Sequence, residues 1–323
     1  MRQGILPENV YLRSVDKKIK EYNNKRKGAA VGKDCAFLCA ESYELYGKDA
    51  DWNRLISMYM AHVYQKAIAV AGKPACMQAH IVINENTEEE SLRTLVRAII
   101  DAAECLCLGL DDMHIRVQDG DSNPQLVFVI TGSHINVAVS KKSDMKDLVY
   151  IGRTASAGTA YLADCYKQKL LSRYSADYVR RMINAYSPID IEIYNKISEQ
   201  VRSGIISLFP VGEGGLFAAL WDIGAEHGCG LKTNIKSVSI YQETIELCDF
   251  FDVNPYMLMS YGDCILLCND GEALSKEYTD AGIEASYIGF LTTDNGRVII
   301  NNDEERFLTA PQQDELYKIA SDI

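Results

Sequence analysis

Hydrophobic and polar positions along this chain follow two rhythms, one helical and one alternating, with changes at glycine, proline and asparagine. From Asp51 to Gly72, "DWNRLISMYMAHVYQKAIAVAG", apolar residues recur at helical spacing, and Gly72-Lys73-Pro74 supplies a stop. "ACMQAHIVIN" (75–84) then alternates as a strand does. "TEEESLRTLVRAIIDAAECLCLGL" opens on Thr87 as a cap, has an acidic first turn and predicts a helix. "MHIRVQDGDSNPQLVFVITGSHINVAVS" reads as two strands around the turn "DGDSNP".

The character changes at "KKSDMKDLVYIGRTASAGTAYLADCY", where a strand runs into small residues and a helix. A boundary near residue 150 follows, giving domains 1–150 and 151–323. Beyond it, "DYVRRMINAYSPIDIEIYNKISEQVRSG" is helical, "CGLKTNIKSVSI" a strand, and "YQETIELCDFFDVNP" a helix ended by Asn254-Pro255. "GDCILLCND" predicts a buried strand, "GEALSKEYTDAG" a helix, and "ASYIGFLTTDNGRVIIN" a hairpin turning at Asp294-Asn295-Gly296. The basic opening "KKIKEYNNKRKG" reads as a helix or arm, and "AAVGKDCAFLCAE" as a glycine-led strand. Each half mixes strands and helices, so the class is α+β or mixed α/β with two domains.

Composition adds bounds to this picture. At 323 residues the chain is too long for one ordinary core. A net charge of -12 argues against non-specific binding to nucleic acid or anionic membrane, both polyanions. A phosphate site must therefore be local, built from backbone N–H groups or a few cations. No apolar run approaches the roughly 20 residues needed to span a bilayer, and the N-terminus shows no apolar signal core. The ten cysteines are scattered, several within apolar runs, without a CxxC pair. They read as reduced, buried thiols of a cytoplasmic protein. His62, His80, His114, His134 and His227 form no ligand-spaced pair and read as structural.

"PVGEGGLFAALWDIG" (210–224) carries the most pointed chemistry. Gly212, Gly214 and Gly215 run straight into an apolar helix, which offers backbone N–H groups to an anion. The same glycines also suit tight helix-to-sheet packing.

The order of features in the C-terminal half, "GEGGLFAALWDIGAEHGCGL", "SIYQETIELCDFFDVNPYMLMSYGDCILLCNDGEAL", "GIEASYIGFLT", "GRVIINNDEERFL" and "PQQDELYKI", resembles the aminoimidazole ribonucleotide (AIR) synthase superfamily. Within it, the likeness is to the hydrogenase maturation factor HypE and related clostridial-type proteins. The N-terminal half resembles the family more weakly, through "VGKDCAFL", "QKAIAVAGKPACMQAHIVI", "DGDS" and "GRTASAGTAYLA". The resemblance implies homodimers whose N-terminal sheets join into a barrel, with a C-terminal α/β domain beside it. It implies ATP and Mg2+ in a cleft there, with N-terminal aspartates on the metal and phosphoryl transfer as the chemistry.

Carried onto this sequence, the resemblance assigns Asp34 and Asp121 to the metal. It assigns Asp34, Lys66, Gly158, Thr159, Glu213, Gly214 and Gly215 to nucleotide or phosphate. Each has a plainer reading. Asp34 suits an exposed strand start, Asp121 is ordinary turn chemistry, and Gly158 and Thr159 suit a helix start. The departures are specific. Lys66 stands where the pattern has a metal-binding aspartate, and an ammonium cannot ligate magnesium. Pro210 and Gly212 stand where it has Asp and Thr. The family's carrier cysteine is not found in the closing "YKIASDI". The expectation is a binding or regulatory subunit with a degraded Mg-ATP site, pairing with itself or with an intact paralogue. The alternatives are an active ATP-dependent enzyme with a rearranged site, and a purely structural dimer.

Overall fold

A computed structural model describes residues 36–45, 51–119, 123–134, 145–188, 190–302, 304–311 and 313–320. Asp34, Asp121 and the basic opening lie outside the described residues.

The first sheet has four strands in the order β1-β4-β2-β3. β1 is Ala36–Glu44, β2 Gly72–Asn84, β3 Gly109–Gln118 and β4 Gln125–His134. Helix α1, Trp52–Ala69, starts where the Asp51 carboxylate accepts from the Asn53 N–H. Helix α2, Glu89–Cys105, is the crossover between the parallel strands β2 and β3. Met77, Ala79, Ile81 and Ile83, at alternate positions of β2, are buried. They join α1 and α2 side chains such as Ile56, Met60, Leu95 and Ile99 in one core.

The second sheet has seven strands in the order β11-β10-β7-β9-β5-β8-β6. They are β5 (Asp147–Ile151), β6 (Ser207–Pro210), β7 (Gly230–Asn234), β8 (Cys264–Cys268), β9 (Ala285–Thr292), β10 (Arg297–Asn301) and β11 (Glu304–Phe307). The helices are α3 (Ser156–Cys165), α4 (Lys167–Leu170), α5 (Ala176–Ile183), α6 (Ile191–Arg202), α7 (Gly215–His227), α8 (Gln242–Phe251), α9 (Gly271–Asp280) and α10 (Leu316–Ala320). Both faces of this sheet are covered, which explains the unbroken apolar run of β8. Ile265 and Leu267 join α7 in one core cluster; Cys264, Leu266 and Cys268 join α3 and α6 in the other. Helix α1 packs on β1, β2 and β4 and also on β6 and α6, so it links the two sheets. The class is α+β with two sheets.

Several local expectations change. Both strands expected within 113–134 are present, but they are not neighbours, because β2 pairs with both β3 and β4 and separates them. The hairpin expected at 285–301 is opened by β7, which pairs antiparallel with β9 and parallel with β10. The Asp294 and Gly296 carbonyls accept from the Gly230 and Leu231 N–H groups, so the turn residues serve β7. Pro74 lies inside β2 beside a register shift, not in a helix stop. Thr87 bonds the Asn84 side chain and leaves Glu88 at the α2 N-cap without a side-chain bond. The helical stretch 177–204 is two helices, broken around Pro188. Cys248, Cys264 and Cys268 are buried as free thiols, but Cys105, the last residue of α2, and Cys107 just beyond it are exposed.

Candidate functional site

Strand β6 delivers the glycine cluster to the start of α7. The Val211 N–H donates to the Asp263 carbonyl, and the Gly212 carbonyl accepts from the Ser260 and Gly215 N–H groups. Gly214 and Gly215 are both left-handed, with φ of 75° and 60°. A Cβ at Gly215 would lie 2.5 Å from the Leu258 carbonyl oxygen, so the backbone reverses tightly against the segment 256–260. At Gly212 a Cβ would meet the His62 ring at 2.8 Å.

The seat made by these glycines is filled by the chain's own carboxylate. The Gly214 N–H donates to Asp314 Oδ2 at 2.6 Å, and the Leu316 N–H donates to Asp314 Oδ1 at 2.8 Å. Asp314 is 3% exposed. Burial pushes its carboxyl up to about 7, against the pull of the Leu316 and Gly214 N–H groups and with a further push from Glu213. Glu213 Oε1 accepts from the Tyr317 hydroxyl at 3.1 Å and from the Tyr261 hydroxyl at 3.3 Å. The Glu315 N–H donates to the Met257 carbonyl. Residues 314–317 are thereby clamped onto the start of α7.

An aromatic group closes the space between this clamp and the first sheet. Tyr43 and Tyr59 stack with ring centres 4.3 Å apart, and Tyr261 meets both edge-on. His62 lies 5.0 Å from Tyr261. Burial, then the nearby Lys66 charge, lowers the His62 imidazole to about 3, so it is neutral at ordinary pH. Beside it the Gln65 amide donates to the Gly262 carbonyl at 2.6 Å. Asp263 accepts from the Tyr150 hydroxyl at 2.6 Å, and burial holds its carboxyl well above the usual range.

The sequence-derived residues fall into three groups. Gly214 and Gly215 form the seat, with Glu213 turned to the two tyrosines. Gly158 meets the same segment from the other side, its N–H donating to the Met259 carbonyl and a Cβ there falling 2.5 Å from the Leu258 Cγ. Thr159 is buried, and its hydroxyl pairs with the Thr244 hydroxyl at 2.9 Å. Lys66 stands apart on α1 with Nζ 2.6 Å from Glu41 Oε1. Asp34 and Asp121 lie outside the described residues. Asp314, Tyr317 and Tyr261 escaped the sequence reading, and His62 was read as structural. The only trace of the first two was "DELY" in the closing stretch, which carries no mark of a partner.

Among the described residues, no group of three or more His, Cys, Asp or Glu side chains is disposed to hold a metal ion. None of the described helices is long and apolar enough to cross a membrane. A cavity of about 530 Å³ lies elsewhere, at the end of β8 between Met145, Ile205, Cys268 and Leu274, and shares no lining residue with the seat. The clamp can hold a C-terminal segment in place. An incoming anion would have to displace Asp314 to reach the Gly214 N–H.

No protein-family model matches the chain, and no curated protein matches it. Solved structures do. The fold is that of solved HypE and thiamine monophosphate kinase structures, at identities of 11–15%. HypE from E. coli, a hydrogenase maturation protein, matches with a TM-score of 0.68 at 15% identity over 86% of this chain and 87% of that one. Hydrogenase maturation protein HypE in complex with ATP matches with 0.70 at 13% identity, covering 91% and 90%. Thiamine monophosphate kinase from Aquifex aeolicus matches with 0.61 at 11% identity, covering 90% and 97%.

Proposed function

We propose that this chain is a divergent AIR synthase/HypE-related cytoplasmic protein that acts as a binding or regulatory subunit, its Mg-ATP site degraded. The observation that carries this reading is the Gly214 N–H donating to Asp314 Oδ2: the backbone group that would receive a phosphate is already spent on the protein's own carboxylate. Lys66 supports it. The ammonium at the expected metal position is paired with Glu41. The partner is a second copy or an intact paralogue, with the first sheets joining into a barrel. In support, the face of the first sheet opposite α1 and α2 carries Ala40, Val82, Val127 and Val129, none of them fully buried. One structure of this fold was solved as a HypE–HypF complex.

A second reading, an active ATP-dependent phosphoryl-transfer enzyme, is favoured by the likeness to HypE in complex with ATP. There Asp34 and Asp121 would hold magnesium, Lys66 would meet phosphate, and Gly158, Thr159, Gly214 and Gly215 would line the anion path.

Calorimetry with ATP and magnesium, followed by a phosphate-release assay, separates the two. The subunit reading expects no magnesium-dependent turnover. Turnover in the wild type that disappears in Asp34→Ala replaces it with the enzyme reading. Light scattering, alone and with a candidate paralogue, tests the pairing.

A further inference from the structure

The first sheet brings together two histidines that sequence spacing keeps far apart. β2 and β3 run parallel, and their register sets His80 directly opposite His114. Matched positions on neighbouring strands share a face, and their Cβ atoms lie close. The two ring centres are 5.9 Å apart with an interplanar angle of 57°. Ala79 and Ile81, on either side of His80, are buried against the helices, so His80 points to the face opposite α1 and α2. Both histidines are exposed. On β3, Asp112 precedes His114 by two residues and Arg116 follows it by two, both on the same face. The Asp112 carboxylate accepts from the Met113 N–H at 2.8 Å.

Two imidazoles on one ion, with metal–nitrogen bonds of about 2.0–2.1 Å, have ring centres roughly 5–6 Å apart. The observed spacing therefore needs only ring rotation to close on a common ion. β2 is fixed by the core beneath it and β3 by its nine-residue pairing with β2, so little of the backbone cost of chelation remains. Imidazole nitrogen suits copper, nickel and zinc, whereas magnesium and calcium want oxygen ligands.

The geometry points to a surface chelate in which His80 and His114 each give one ring nitrogen to a divalent transition-metal ion, with water in the remaining positions. This site does not involve the glycine cluster; it lies on the face by which the first sheets are proposed to join, so it belongs to a chain whose first sheet is open to water. Along the divalent series, copper binds tightest.

The test is calorimetric titration of the full chain with Cu2+, Zn2+ and Mg2+, with electron paramagnetic resonance of the Cu2+ form. Cys105→Ser/Cys107→Ser protein is used, because those two thiols are exposed and compete for the same ions. The expected result is one Cu2+ per chain with a two-nitrogen splitting pattern, weaker Zn2+ binding and no Mg2+ uptake. His80→Gln or His114→Gln should weaken Cu2+ at least about tenfold, the least that losing even an outer-shell partner costs. Each should also leave one nitrogen in the spectrum, with an unchanged circular dichroism spectrum. Copper uptake unaltered in His80→Gln/His114→Gln, or Mg2+ binding as tightly as Cu2+, overturns the assignment.

Discussion

The Asp314 carboxylate lies 2.6 Å from the Gly214 amide nitrogen, across 100 positions of the chain. The same carboxylate also caps the Leu316 N–H, so one buried side chain ties the C-terminal segment to the start of α7.

Asp314→Ala leaves the Gly214 and Leu316 N–H groups unpaired in a buried setting. An orphaned buried donor costs about 1–3 kcal/mol, and the loss should appear as a lower urea midpoint. Limited proteolysis should cut the C-terminal segment of the variant faster than that of the wild type. Asp314→Asn, which keeps an acceptor oxygen, should lose less.

The same residue predicts a pH dependence. Its folded-state pKa, about 7, lies above the ordinary value of 3.8, so the folded protein holds this proton more tightly than the unfolded chain does. Its contribution to stability is full below pH 3.8 and declines as pH rises through 7. His62 works in the opposite direction. Lowered from 6.5 to about 3, it contributes stability above pH 6.5 that fades as pH falls through 3. Stability measured from pH 4 to 7.5 should therefore fall less with rising pH in Asp314→Asn than in the wild type, and rise less in His62→Gln.

Gly215→Ala combines a left-handed backbone with a Cβ 2.5 Å from the Leu258 carbonyl oxygen. Gly228 is also left-handed, with φ of 61°, but nothing lies within 4 Å of its added Cβ. Gly228→Ala should cost about 1 kcal/mol, the conformational term alone. Gly215→Ala should cost clearly more, and denaturant melts of the two variants isolate the clash.

Lys66 and Glu41 form a half-exposed ion pair, with side chains 36% and 28% accessible. Breaking it with Lys66→Ala should change stability by no more than about 1 kcal/mol. If Lys66 instead meets a nucleotide phosphate, the same variant should weaken ATP binding markedly with little change in melting temperature. Calorimetry and a thermal melt on one preparation read both.

Much of the element content was legible because burial imposes a period. Leu55, Ile56, Tyr59, Met60 and Val63 repeat at helical spacing and are buried in α1, which the two sheets enclose on nearly every side. Met77, Ala79, Ile81 and Ile83 alternate and form the buried face of β2. Gly214 and Gly215 were legible as a special backbone because few other residues tolerate it. The hairpin at 285–301 failed because a turn signal such as Asp294-Asn295-Gly296 says that the chain reverses, not that its two arms become neighbours. β7 takes the place between them.

By itself, then, the sequence determined most of the helices and strands, the buried face of β2, and where glycine must bend the backbone, since these are short-range consequences of periodicity and sterics. It also carried the ordered features that resemble AIR synthase-like proteins. Only the tertiary structure decided the pairings: Asp314 in the seat of Gly214, Glu213 between Tyr261 and Tyr317, Lys66 on Glu41, and His80 beside His114. Each joins groups from separate elements, and a hydrogen bond or ion pair leaves no period in the chain to announce its distant partner.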